Sequence, residues 1–397
     1  VHGRELWRTD GTNAGTVLVS DIRAGPGGSD PRDLVLFGRR VYFAAKTLFR
    51  GDELWKTDGT AAGTLLVKDI NPGSGDSHPS KLAVYNGRLY FTASDDDDSW
   101  EYELTPPVWK SDGTGLGTTL LKDAKGTLVY DVVEFVETGG ILYIHVDHEA
   151  FDGGCGADLW RTNGSQAGTL FFKDLGWRCM RYLIGVRGTL YFTTSEDDNL
   201  GQNKLWRSNG TWLGTKIIKT FDIDLDFAGL QYPAAVGTTV FFGGDDGPGD
   251  TGLWKTDGTA SGTSLVKQMG ESWELPHSLT AVGGTLFFAG DDLIHGDELW
   301  KSDGTEAGTV MVKDIYAGGE DGLADGKTQL VSDGGRLFFP ANDGTHGFEL
   351  WAYDTGACSV PGPPALTWPG IGQRLCTCAP QFRWAAMQDA GAYRLQV

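Results

Sequence analysis

The chain has 397 residues, with 33 Lys and Arg against 53 Asp and Glu, a formal net charge of −20. That balance excludes the basic surface that displaces counterions from nucleic acid, and it disfavours docking on an anionic membrane. Glycine at 59 residues, beside 14 tryptophans and 40% hydrophobic residues, points to many tight turns between short strands rather than to disorder, and no stretch is long and apolar enough for a membrane helix.

In chain order, the first recognisable element is ELWRTDGTNAGT at Glu5–Thr16, and it returns as ELWKTDGTAAGT at Glu53–Thr64. Further copies are VWKSDGTGLGT, LWRTNGSQAGT, LWRSNGTWLGT, LWKTDGTASGT and ELWKSDGTEAGT, with a decayed ELWAYDTG at Glu349–Gly356. Their tryptophans are Trp7, Trp55, Trp109, Trp160, Trp206, Trp254, Trp300 and Trp351. A period of about 50 residues, rich in glycine and aromatics, is that of a β-propeller or β-solenoid.

One period resolves into four strands: Leu34–Phe37, Val41–Ala45, Glu53–Thr57 and Thr64–Ile70. Val, Leu, Tyr and Phe fill these runs and Gly, Asn or Asp separates them. Asn86-Gly87 and Gly283-Gly284 are hairpin dipeptides that supply positive φ at the equivalent turn. Four antiparallel strands per period predict an all-β propeller of seven blades, with eight as the alternative, over residues 1–356. The N-terminal unit lacks its first two strands and the C-terminal unit its fourth, so the expected closure pairs Thr16–Ile22 with the sheet that ends at Trp351.

These copies resemble the ELWxxDGT repeat family of secreted bacterial proteins, over about Val1–Gly356. The resemblance implies an extracellular or cell-surface propeller exported from a bacterium, and it lends no catalytic residues. From the residues themselves, each motif tryptophan is suited to wedging between adjacent blades. Asp10, Asp58, Asp112, Asp257 and Asp303 precede a glycine, so each carboxylate can accept backbone N–H bonds within a turn. Asn163 and Asn209 replace that Asp, which a turn tolerates and a catalytic carboxylate does not.

The variable loops between second and third strands are acidic, and they are the expected place for function. Calcium is the cofactor that suits them. The candidate ligands are Asp245, Asp246 and Asp250, then Asp291, Asp292 and Asp297, with Asp343 as a third place. The competing expectation is a solvated acidic rim. His145, Asp147, His148 and Glu149 form the densest set of transition-metal ligand types, but strand alternation puts His145 and Asp147 on one face and His148 on the other.

The five cysteines show no zinc spacing and fit an exported protein with a few disulfides. Cys155 and Cys179 are the only pair inside the repeats, although loops at opposite strand ends would keep them apart. After Gly356 the composition changes to a Pro-rich linker, 357–370. Residues 371–397 resemble the opening of a fibronectin-III-like sandwich through Phe382-x-Trp384 and Gly391-Ala392-Tyr393-x-Leu395-x-Val397. A sandwich of that kind needs about 100 residues, so the natural protein is expected to continue beyond Val397.

No hydrolase, zinc-protease or nucleotide-binding motif is present. The expected function is a secreted, non-enzymatic binding or structural module whose acidic loops meet a glycan, a cell-surface protein or a second copy of itself. A polysaccharide hydrolase or lyase with an axial site is the alternative, and a subunit of an extracellular fibre or surface assembly is a third.

Overall fold

A computed structural model of the chain describes residues 2–10, 12–95, 105–149, 155–176, 178–196, 203–221, 231–247, 249–270, 275–323, 329–332, 335–355 and 382–383. Among the described residues there are strands and no helix. Leu6–Arg8 and Val17–Ser20 form a two-stranded sheet, and seven four-stranded sheets follow, each a meander of consecutive strands. The first comprises Arg32–Phe37, Arg40–Thr47, Gly51–Thr57 and Leu65–Lys68, all antiparallel. Seven successive meanders on this period are the blades of an all-β propeller, as the repeat predicts. The hairpin prediction also holds, with Asn86 and Gly87 at φ 47° and 67°.

The chain ends differ from expectation. Val17–Ser20 pairs with Leu6–Arg8, through Trp7↔Leu18 and Arg8↔Val17. The fourth position of the seventh sheet is held by Phe382–Arg383, which pairs with Ala352–Tyr353. The short intact turn between Leu6–Arg8 and Val17–Ser20 closes a local hairpin at little entropic cost, which favours it over a distant partner. The expected linker 357–370 and the rest of the expected sandwich segment lie outside the described residues.

The chain divides into two compact units. One is Val1–Met180 with Arg187–Leu190 and Arg207–Lys216, and the other is Arg181–Val186 with Tyr191–Trp206 and Ile217–Val397. In the first, the core lies between neighbouring sheets. Tyr42, Leu54 and Val67 of one sheet enclose Leu89, Phe91 and Trp109 of the next. In the second, Phe241, Leu253 and Val266 meet Leu286, Phe288 and Trp300 in the same way. The motif tryptophan is therefore an inter-blade wedge, as predicted. It also stacks on the second-strand Phe of its own blade, at 6.4 Å for Phe288–Trp300 and 6.5 Å for Phe242–Trp254. Burying each such ring contributes roughly 2–3 kcal/mol.

Candidate functional site: the loop end of the blades

The repeated turn is closed chemistry. Asp58 Oδ1 accepts the Thr60 backbone N–H at 3.0 Å and its hydroxyl at 2.7 Å, while Thr60 Oγ1 accepts from Gly63 N at 3.0 Å. Thr57 and Thr64 join their hydroxyls across the strand ends at 2.8 Å. A Cβ on Gly63 would come within 1.9 Å of the Asp58 carboxylate, so the second glycine of DGTxxGT exists to admit that side chain. The Thr60 bonds also hold Asp58 below its ordinary pKa. Asn163 and Asn209 make the same bonds at 3.0 and 3.1 Å, which confirms the turn reading of the motif. The motif lysine then crosses to the next blade: Lys56 Nζ donates to Gly113 O at 2.7 Å, and Lys255 Nζ to Gly304 O at 2.8 Å.

Sequence reasoning assigned no role to the Glu of ELW. Glu53 is fully buried, and its carboxylate accepts Ile70 N at 2.8 Å, Asn71 N at 3.1 Å and Ser77 Oγ at 2.7 Å. Glu5 does the same to Ile22, Arg23 and Ser29. The Glu thus fastens the Asp-Ile loop that leads into the next blade. Burial pushes Glu53 up to about 8, against the three hydrogen bonds that favour its charged form. Glu298 is pushed to about 7 by burial; its Oε2 has no hydrogen-bond partner, and Gly322 stands where the other copies supply the hydroxyls of Ser29 and Ser77.

These contacts put the second-to-third-strand loop and the inter-blade loop at one end of each blade. Ala157 N bonds Gly176 O at 3.3 Å and Leu175 N bonds Ala157 O at 3.0 Å, so the regions of Cys155 and Cys179 share an end, contrary to the sequence expectation. An up-and-down meander returns every second connection to the same side. Cys179 is disulfide-bonded; the side chain of Cys155 lies outside the described residues.

The same end gathers charged side chains. Arg32 Nη1 and His78 Nδ1 both reach the buried Asp52 at 3.1 Å. In the second unit, His277 Nε2 bonds the buried Asp297 at 2.7 Å. His145, 1% exposed, lies with Nε2 at 2.8 Å from Asp147 and Nδ1 at 3.6 Å from Glu134. Burial opposes its imidazolium, but the hydrogen bond to Asp147 and the negative charge of the nearby Glu134 outweigh it and raise the pKa. The pairing of His145 with Asp147 follows the predicted alternation. Glu134, on the neighbouring strand and displaced by a bulge, could not be found from spacing.

The predicted calcium ligands are not brought together. Asp245 Oδ1 accepts Gly247 N at 3.0 Å, and Asp246 pairs with Lys219 at 2.5 Å. Asp250 contributes its carbonyl to Trp254 Nε1 at 2.9 Å. Asp291 Oδ1 accepts Leu293 N, and Asp297 is taken by His277. Asp292 accepts Ile294 N and His295 N and meets His295 Nδ1 at 2.9 Å. Asp343 repeats that arrangement with Thr345 and His346, and those bonds lower it to about 2. Asp245, Asp291, Asp292 and Asp343 thus turn to backbone N–H groups of their own loops, while Asp246 and Asp297 turn to Lys219 and His277. Among the described residues no three His, Cys, Asp or Glu side chains form a metal-holding group.

The sequence matches no protein-family model and no curated protein. Solved structures do match. A puromycin hydrolase shares 14% identity with a TM-score of 0.46, over 89% of this chain and 55% of that one. Prolyl oligopeptidase B from Galerina marginata shares 11% with a TM-score of 0.49, over 82% and 49%. An oligogalacturonate lyase in complex with manganese shares 11% with a TM-score of 0.46, over 79% and 85%. This chain spans about half the length of the first two. At such identity the likeness is one of fold alone.

Proposed function

We propose that the chain is an exported, non-enzymatic module that binds a glycan, a surface or a partner protein through the loop end of its blades. The observation that carries this reading is the closure of the repeated chemistry. Asp58, Thr60, Glu53 and Lys56 and their counterparts are taken up by internal bonds, which leaves the variable loop-end side chains as the means of recognition. The disulfide at Cys179 supports an oxidising compartment. Self-association through the same end needs an apolar or ion-mediated contact, because acidic faces repel.

The enzyme reading is favoured by one cluster. Buried His145 sits between Glu134 and Asp147, whose side chains are 39% and 41% exposed, an arrangement suited to holding two carboxylates for acid–base work on a polysaccharide. A glycan array run alongside a hydrolysis assay on the same sugars tests both readings. The module reading expects binding without cleavage. Turnover that Asp147→Asn abolishes overturns it.

A further inference from the structure

The first strand of most blades carries the same irregularity. Pairing slips between Arg32 and Val35, between Ser80 and Ala83, between Gln231 and Ala234, and between His277 and Thr280. At each slip one non-glycine residue is left-handed: Asp33 at φ 53°, Lys81 at 55°, Tyr232 at 48° and Ser278 at 55°. Tyr182, at φ 55°, holds the same place in the fourth sheet. Thr193 Oγ1 bonds the carbonyl of the preceding Arg181, as Thr92 Oγ1 bonds that of Ser80.

Side chains with a Cβ are disfavoured in that conformation, and a glycine would relieve it. The chain keeps an acid, a base, two phenols and an alcohol there instead. A backbone feature that repeats while its side chain varies is a scaffold displaying something, and bulges of this kind re-aim side chains beside binding sites. Asp33, Lys81, Tyr232 and Ser278 stand second in their strands, at the loop end already described, and Tyr182 holds the matching place within the longer strand Arg178–Val186.

Within the second unit three of these strands are consecutive, and their side chains meet. The rings of Tyr182 and Tyr232 lie 5.8 Å apart, and Tyr232 lies 6.0 Å from the imidazole of His277. His277 Nδ1 is 3.0 Å from Ser278 Oγ, and Asp297 fixes its other nitrogen. Tyr232 remains 38% exposed. We propose that Tyr182, Tyr232 and Ser278 form a strip that binds a neutral oligosaccharide, with the exposed Tyr232 ring against the apolar face of a sugar, the half-buried Tyr182 ring supporting it from the core side, and the hydroxyls bonding those of the sugar. The net charge of −20 and the buried Asp297 select against polyanionic chains such as uronates. This inference rests on the binding-module reading and names the ligand and its place.

The test uses the full chain on immobilised cello-, xylo- and manno-oligosaccharides, with oligogalacturonate as the acidic comparison. The expected result is binding to a neutral sugar that Tyr232→Gly weakens about tenfold or more, with an unfolding temperature equal to or above that of the parent. Glycine relaxes the left-handed backbone, so loss of binding without loss of stability separates recognition from folding. Tyr182→Asn, which tolerates the same φ, is expected to weaken binding in the same direction. Neutral-sugar binding that both variants leave within about twofold of the parent overturns the strip and leaves the module reading standing. Binding only to oligogalacturonate also overturns it. An array without any sugar bound overturns the strip and the glycan arm together, and leaves the partner-protein arm.

Discussion

Replacing Glu53 by glutamine tests the fastening of the inter-blade loop. The carboxylate serves three donors with two oxygens: Ile70 N and Ser77 Oγ share Oε2, and Asn71 N uses Oε1. A glutamine placed with its oxygen at the Oε2 position keeps the first two bonds and turns an NH2 group against Asn71 N–H. One buried donor then lacks an acceptor, which costs about 1–3 kcal/mol. The cost depends on pH, and the sign follows from the raised pKa. Folded Glu53 holds its proton up to about pH 8, whereas its unperturbed value is 4.5. Between those values the folded state binds more protons than the unfolded one, so the parent loses stability as pH rises through the window, at about 1.4 kcal/mol per unit of difference. The glutamine side chain has no proton to lose. Thermal unfolding at several pH values is expected to show E53Q below the parent near pH 6, with the gap narrowing or reversing above pH 8. A gap that stays constant with pH, or no gap at either end, refutes the assignment of the raised pKa to this buried carboxylate.

Three further outcomes follow from the same geometry. Asp58→Asn is expected to leave the melting temperature unchanged, since Asn163 and Asn209 already make this turn, whereas Gly63→Ala lowers it because its Cβ meets the Asp58 carboxylate at 1.9 Å; differential scanning fluorimetry of both decides. Gly322→Ser supplies the hydroxyl that Ser29 and Ser77 provide in the other copies and is expected to stabilise by about 1 kcal/mol in denaturant unfolding. A fall in stability would mean that the 2.4 Å approach of the new Cβ to Glu298 is not relieved. Excess calcium and excess chelator are expected to give the same melting temperature, because Asp246, Asp292, Asp297 and Asp343 already have Lys219, His295, His277 and His346 as partners. A concentration-dependent rise with calcium would show that those pairs give way to the ion.

The blade was legible because it is written seven times. Trp109 between two sheets, the Asp58 turn and the strands around Trp55 could each be checked against other copies of themselves. What repetition could not give was the pairing of the ends, where only one copy exists. Phe382–Arg383 takes an edge that no motif marks. The expected calcium ligands raise a different point. Adjacent Asp residues in a Gly-rich loop satisfy the sequence pattern for a cation and for an Asx turn equally. At Asp292 the backbone N–H groups of Ile294 and His295 make the turn. His145 shows the reverse case, since its partner Asp147 was visible two residues away while Glu134 depended on the register of another strand.

The Glu of ELW was legible too, although only by comparing copies. Where Glu5, Glu53 and Glu298 stand, the following loops read DIRAGPGGS, DINPGSGDS and DIYAGGEDG. Where the position holds Pro107, Asp158, Lys204 or Gly252, the loops lose that pattern. The structure gives the cause: a carboxylate 17 and 18 residues before two backbone N–H groups fixes the loop that presents them, and without it the loop is released from that sequence. The middle blades are the ones released. Tyr182 and Tyr232 lie on first strands that follow two such loops, those after the blades of Asp158 and Lys204. The copies with the Glu therefore hold this loop by its carboxylate, and in the copies without it the loop sequence is set by other contacts.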